Sequence, residues 1–499
     1  MIAPSSILYQ DPQATTFLID IPTSIARAQL LSLHQLELLS PAGSLSDLEG
    51  NGRNRVVLST PPLREPYPAH TEPKTDAART RVLERIPVSE RLFHSEILEP
   101  LVTEGLLQIR NALKPGFAWC LPRVEVNHST PQWVPRHGNE ALRPDRRKAT
   151  GSTRSDSFPL IKAASKQMDS DTADPATLNE TCISSQSPPL ILSPGTNSFS
   201  SMSELFSLVV RNTSREPAVV QAPCMMVQME MESPGCFHSR QDHLSHSALR
   251  SFYVPPLSSF IQGRIPVADP GAHTDSPIPG LPHHQKFNLI LLDPPWANRS
   301  VRRSGHYQTQ THLDWERLTR CIRQILSVHL VPDPSRRLTR DEEAGQQEDS
   351  GRVGAIAAIW ITNSGKARKT AYEAMQGAGL TVCEEWIWVK TTTEGEPITP
   401  VEALWRKPYE ILVIGRRVDS APDNNVITRR VIAAVPDIHS RKPNLREVFE
   451  QVFLLGGPPD EAGMRYTALE VFARNLTAGW WAVGDEALKF NSEEWWIER

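Results

Sequence analysis

No stretch of this chain approaches the roughly 18 uninterrupted apolar residues that a membrane-crossing helix needs. The first residues, "MIAPSSILYQDPQATTFLID", lack a charged region followed by an apolar core, so no secretory leader is expected. The six cysteines (Cys120, Cys182, Cys224, Cys236, Cys321 and Cys383) form no C-x-x-C pair, which argues against a disulfide scaffold and fits reduced thiols in the cytosol or nucleus. There is no strong charge of either sign. With a formal net charge of -4 the chain has no overall basic field, so a nucleic-acid partner must be held by a local patch. A G-x-G-x-x-G fingerprint is missing, and so is any fixed-period repeat. An intracellular, soluble protein is the expectation.

What is there divides unevenly along the 499 residues, a length that suits two or three domains. Residues 142–200 are dominated by Ser, Thr, Asp and Pro, with Phe158 and Phe199 as the only aromatics, and cannot bury enough apolar surface to offset ordering entropy. They are expected to be a disordered linker, and their "RPDRRK" cluster suggests nuclear import. Before them, in the 1–141 region, "SERLFHSEILEPLVTEGLLQIRNAL" spaces Leu92, Ile97, Leu98, Leu101, Leu106 and Ile109 as an amphipathic helix. After them, "FSLVVRNTSREPAVVQ" reads as two strands around a polar turn, within a middle domain at 201–270.

From 271 to 499 the pattern changes. "FNLILLD", "GAIAAIWIT", "EEWIWVK", "YEILVIGR" and "ALEVFAR" are near-continuous apolar runs, the mark of strands buried on both faces. Helical stretches ("HLDWERLTRCIRQILSV", "KARKTAYEAMQG", "NLREVFEQVF") lie between several of them, which predicts an α/β domain with a largely parallel sheet. Residues 332–352 are charged and polar and read as a surface-loop insertion. Cys224, Cys236, His238, His243 and His246 fit no compact metal template, so a loop without a metal is expected there.

"LILLDPPW" delivers Asp293 to the carboxyl end of a strand, where open α/β sheets bind their ligands. Pro294 and Pro295 cannot donate to a ladder; they end the strand, stiffen the turn and leave carbonyls able to accept. Trp296 adds a broad π-face. Such a site suits a flat base with an amine: a carboxylate and a proline carbonyl can hold both N–H bonds of adenine and aim the amine lone pair at an electrophile, with Trp296 stacked on a base that has left its helix.

The Asp293-Pro294-Pro295-Trp296 tetrapeptide resembles the signature of the adenine-N6 methyltransferases that include the catalytic subunit modifying eukaryotic mRNA. In order, "DPPWANRSVRRSGHY", "WITN", "EEWIWVK", "KPYEILVIGR", "IHSRKP" and "LEVFARNLTAGWWAVGDEALKF" are similar to the methyltransferase-like-four branch, over about 250–499. The resemblance implies a Rossmann-like, S-adenosylmethionine-dependent domain whose motifs are permuted, so that the cofactor strand follows the catalytic motif. It implies that Lys442 pairs with the methionyl carboxylate and that Arg474 and Asn475 bind ribose. Gly484 and Glu486 match the family's cofactor segment, but Asp485 replaces an amide there and can accept without donating. In "SSFIQGRI" the family tends to carry an acid that takes the adenine amine; here Gln262 or a backbone group must substitute.

On the substrate side, Arg299, Arg302, Arg303 and His306 supply charge for phosphates and Tyr307 a surface for stacking. Asn298 and Ser300 match family positions near the target nucleotide, and Lys390, Lys407 and Tyr409 resemble its lid and substrate-loop motifs. The branch implies RNA, a 2'-O-methylated adenosine of a small nuclear RNA, ahead of DNA. A catalytically inactive nucleic-acid-binding scaffold is the third reading. Nuclear residence is expected with the cytoplasm as alternative, no membrane partner is expected, and the oligomeric state stays open with a monomer allowed.

Overall fold

The apolar runs of the second half become neighbours in one large sheet in the computed structural model. It describes residues 5–32, 55–68, 72–126, 187–225, 247–267, 276–296, 314–332, 354–404, 406–417, 426–454 and 465–498. The N-terminal part supplies β1 (Ile7–Gln10), β2 (Thr16–Ile19), β3 (Arg55–Ser59) and β4 (Val124–Glu125). The middle supplies β5 (Leu190–Ile191), β6 (Gly195–Ser198), β7 (Val209–Arg211), β8 (Ala218–Met225), β9 (Ser247–Val254) and β10 (Ser259–Gln262). Then come β11 (Leu289–Leu292), β12 (Ile356–Ile361), β13 (Thr381–Lys390), β14 (Tyr409–Arg416), β15 (Thr428–Ala434), β16 (Ala468–Val471), β17 (Trp481–Gly484) and β18 (Trp496–Glu498).

Among the described residues, twelve strands form the main sheet in the order β1-β2-β15-β13-β14-β12-β11-β16-β17-β10-β7-β5. β12, β11, β16, β17 and β10 are parallel neighbours, as are β13, β15 and β2, while β14 runs antiparallel between β12 and β13. Every residue of β11 and β12 is buried, as an α/β sheet covered on both faces requires. Alternate side chains enter two cores. Ile290, Ala357 and Ile359 face α4 (Trp315–His329) and α5 (Gly365–Gly377), whereas Leu289, Leu291, Ala358 and Trp360 face α1 (Ile21–Ala28) and α6 (Arg446–Phe449). The helix α4 starts on Asp314, whose carboxylate accepts the Glu316 backbone N–H at 3.0 Å. The α/β reading is borne out, and β15 and β17, which the apolar runs do not single out, complete the sheet.

The N-terminal amphipathic helix runs continuously as α2 (Val88–Leu92), a π-helical turn (Phe93–Leu98) and α3 (Glu99–Ala112). Pro100 has no N–H to return to the preceding turn, and the wider turn just before it absorbs that loss. The extra residue also rotates the apolar face. Phe93, Leu98, Val102, Leu106 and Ile109 are buried, while Leu92 and Ile97, assigned to the stripe by their spacing, are 46% and 39% exposed. The helix lies hard against the sheet at Gly105, where a Cβ would sit 2.9 Å from Val431 Cγ2 of β15.

Neither the N-terminal nor the middle region stands apart. β1 and β2 extend one edge of the main sheet, and β10, β7 and β5 form the other. β7 and β8, which read as two strands around one turn, fall in different sheets, because β8 pairs with β6 and β9 in a three-stranded sheet of its own. Residues 187–200, assigned to the linker by composition, contain β5 and β6. The linker from 142 to 186, the insertion from 333 to 352 and the Cys/His cluster from Cys236 to His246 lie outside the described residues.

Candidate active site

Asp293 follows β11 at the carboxyl edge of the parallel strands, with its backbone N–H donating to the Val471 carbonyl of β16 at 3.2 Å. The turn then folds inward. Trp296 donates its backbone N–H to the Pro294 carbonyl (2.8 Å) and its indole N–H to the Trp360 carbonyl (2.8 Å), and its ring stacks on Trp315 with centroids 5.8 Å apart. At 7% exposure this indole anchors the turn in the core. The projecting stacking surface expected from "DPPW" is not what the structure shows, because both the polar handle and a face of the ring are spent inside.

Two cations converge on Asp293. Lys442 Nζ lies 3.5 Å from Oδ1 and Arg474 Nη1 3.2 Å from Oδ2. Each is reached by the same backbone device. Two residues before Lys442, Ser440 has φ 71°, and two residues before Arg474, Phe472 has φ 61°, left-handed conformations that non-glycine residues seldom adopt.

The cations are themselves shared. Lys442 pairs with Glu410 at 2.5 Å, and Glu410 with Lys390 at 2.6 Å; Arg474 pairs with Glu486 at 3.2 Å, and Glu486 with Lys489 at 3.0 Å. The result is one alternating chain, Lys390–Glu410–Lys442–Asp293–Arg474–Glu486–Lys489, with Asp293 at its centre. Glu410 opens the antiparallel β14, so it reaches the same edge as the ends of β11, β13, β16 and β17. Trp360 and Trp388 floor one arm, with Lys442 Nζ 4.8 Å from the Trp360 ring centre and Lys390 Nζ 4.7 Å from that of Trp388.

Burial alone would raise the Glu410 carboxyl, but Lys390 and Lys442 hold it well below the usual carboxylate range. Burial likewise disfavours charge on Lys442, and Asp293 and Glu410 overcome it, holding the ammonium above its ordinary value. Glu470 of β16 behaves differently. Burial, reinforced by the charge of Asp293, pushes its carboxyl up to about 8, so it keeps its proton at neutral pH. Nothing in the sequence pattern flags Glu470, which looks like one more polar residue in an apolar run.

On the β17 side, Gln262 lies in register with Gly484 at adjacent strand ends, and Asn475 follows Arg474. Gln262 Oε1 and Asn475 Nδ2 are buried and have no hydrogen-bond partner among the described residues. An orphaned acceptor and an orphaned donor are groups that a bound nucleoside could satisfy: an adenine amine can donate to Gln262, and a ribose hydroxyl can accept from Asn475. Gly484 gives no room to a side chain, since a Cβ there would lie 2.9 Å from the Ala473 carbonyl oxygen. Asp485 is exposed, and Glu486 is committed to Arg474 and Lys489.

The substrate-side assignments separate. Asn298, Arg299, Ser300, Arg302, Arg303, His306 and Tyr307 lie outside the described residues. Lys390 belongs to the charge chain. Tyr409 is only 1% exposed, with its hydroxyl 2.8 Å from His94 Nδ1, so burial removes it from contact with any polynucleotide. Lys407 turns to Glu99 at 2.6 Å and to the Val401 carbonyl at 3.0 Å. The partners His94 and Glu99 are in the N-terminal helix, over 300 positions away, and no local pattern could have announced them.

Comparison with known proteins accords with this geometry. Residues 348–486 match the MT-A70 family. The chain is 38% identical over 258 residues to the N6-methyladenosine RNA methyltransferase MTA1 of Cryphonectria parasitica, covering 50% of this chain and 64% of that protein. It is 30% identical over 259 residues to the human N(6)-adenine-specific methyltransferase METTL4 (50% and 45%), and 27% identical over 261 residues to a DNA N6-methyl methyltransferase of Caenorhabditis elegans (52% and 59%). The matches span less than two thirds of the length of each relative. Residues 348–486 thus match an MT-A70 family domain, and the proteins similar to this chain include ones named MTA1 and METTL4.

Proposed function

We propose that this protein transfers a methyl group from S-adenosylmethionine to the N6 amine of an adenine in RNA, a 2'-O-methyladenosine of a small nuclear RNA. The observation that carries the reading is Asp293 held between Lys442 and Arg474 at the carboxyl edge, beside two prolines. Adenine's amine is a weak nucleophile because its lone pair is delocalised. Asp293 can accept one amine N–H and the Pro294 or Pro295 carbonyl the other, which orients the lone pair. The Pro294 carbonyl already accepts from Trp296 and retains a second lone pair. The role of the chain is chiefly to hold donor and acceptor in line.

The cofactor supplies a methyl group on a sulfonium, a ready electrophile. Lys442 is the residue suited to its carboxylate, and Gln262, Asn475 and Arg474 are suited to its nucleoside. Mass spectrometry of nucleosides after incubation with labelled S-adenosylmethionine and matched oligonucleotides tests the reading. The arms are RNA, 2'-O-methylated RNA and single-stranded DNA of one sequence. N6-methylation greatest on the 2'-O-methylated RNA is expected. Greatest transfer to DNA would make the nematode relative the better guide, and no methylated adenine in any arm would leave a binding scaffold.

A further inference from the structure

Glu410 hangs between Lys390 and Lys442 of the charge chain, but the segment that carries it is gripped from the other side by the N-terminal helix. His94, in the π turn, has Nδ1 2.8 Å from the Tyr409 hydroxyl and Nε2 3.4 Å from Glu90 Oε1. Glu90 binds Arg368 of α5 at 2.6 Å, and that guanidinium lies 3.7 Å over the Phe93 ring. Glu99, at the start of α3, holds Lys407 at 2.6 Å. The contacts to Tyr409 and Lys407 join residues 315 and 308 positions apart in the chain.

Glu90 and His94 are 7% and 8% exposed, so this network sits in a low-dielectric setting where each partner is costly to lose. Tyr409 and Glu410 are successive strand residues and point to opposite faces. Fixing the phenol on the helix side therefore fixes the carboxylate on the ligand side, one peptide away.

We propose that His94 and Glu99 are positioning residues of the active site: by anchoring Tyr409 and Lys407 they set Glu410, and through it Lys442, against Asp293. The N-terminal helix is then part of the catalytic apparatus. This role rests on the methyltransferase reading above.

The test uses the full chain and two readouts, methyl transfer and calorimetric binding of S-adenosylhomocysteine. His94→Ala is compared with Glu410→Gln and with the double variant, and His94→Gln serves as the rescue that restores a hydrogen-bonding group. His94→Ala should weaken S-adenosylhomocysteine binding about tenfold, and in the Glu410→Gln background it should add less than about twofold, the non-additivity expected of residues acting through one another. His94→Gln should recover most of the binding. Where His94→Ala fails to fold, Tyr409→Phe, which loses only the hydroxyl, takes its place in the same cycle. Fully additive losses, or wild-type binding by His94→Ala, would overturn the positioning role while leaving an active enzyme. Absence of both binding and transfer in the unaltered protein would instead strike the functional reading itself.

Discussion

Lys442 and Arg474 reach one carboxylate by the same local device and are backed in different ways. Each follows a strand end and sits two residues beyond a left-handed residue, Ser440 or Phe472. Arg474 is secured by near neighbours, since Glu486 lies 12 positions on and Lys489 pairs with Glu486 from three further. Lys442 depends on distant ones: Glu410 and Lys390, then Tyr409 and Lys407, and behind those the helix that begins at Val88. On the Arg474 arm, Asn475 follows directly in the chain, and its Nδ2 is buried with no hydrogen-bond partner among the described residues. One arm is thus a self-contained turn, and the other links the Asp293 carboxylate through Lys442 and Glu410 to a segment held by the N-terminal helix.

The largest effect should come from the residue the arms share. Asp293→Ala should lower methyl transfer by about 10²–10³-fold or more, the scale of losing one preorganised group at a reacting centre. Affinity for S-adenosylhomocysteine should change only a few-fold, because the proposed role of Asp293 is on the amine and not on the donor; equal loss of binding and transfer would reassign it to the donor side.

Next, the arms should differ in stability. Lys442→Met leaves Glu410, a carboxylate held well below its usual range, with Lys390 alone, and should cost about 2 kcal/mol in urea unfolding. Arg474→Met leaves Glu486 with its own neighbour Lys489 and should cost about half as much. Equal losses would show the two arms to be equivalent.

A further effect concerns pH. The folded carboxyl of Glu470 titrates at about 8 against an ordinary 4.5, so the folded state holds a proton that the unfolded chain has released. Stability from this group is present below pH 4.5, falls as pH rises through about 8, and is then level. Glu470→Gln should remove that decline and raise stability at pH 8 relative to wild type, read as the difference between urea midpoints at pH 5 and pH 8. Parallel pH profiles would mean that Glu470 is already ionised when folded.

Much of this edge is legible in the order of the amino acids. An apolar strand followed by Asp293 and two prolines names a rigid acidic strand end, and the ordered motifs pick out Lys442 and Arg474. The role of Trp296 is not legible there, because a sequence shows a large π-face without showing that Trp315 and the Trp360 carbonyl are placed to receive it. Spacing misphases the apolar face of the N-terminal helix at Leu92 and Ile97, because a single π turn breaks the regular period that such arguments assume. Tyr409 and Lys407 sit beside a ligand edge in sequence yet turn inward.

By itself the sequence determined what depends on neighbours along the chain: buried strands from apolar runs, a stiff turn from paired prolines, an amphipathic helix from its spacing, and a carboxylate placed at a strand end. Only the tertiary structure decided which charges neutralise which. Ion pairing and burial are set by distance in space. The chain Lys390–Glu410–Lys442–Asp293–Arg474–Glu486–Lys489 draws on β13, β14 and the segments after β11, β15, β16 and β17, which become adjacent only when the sheet closes around them.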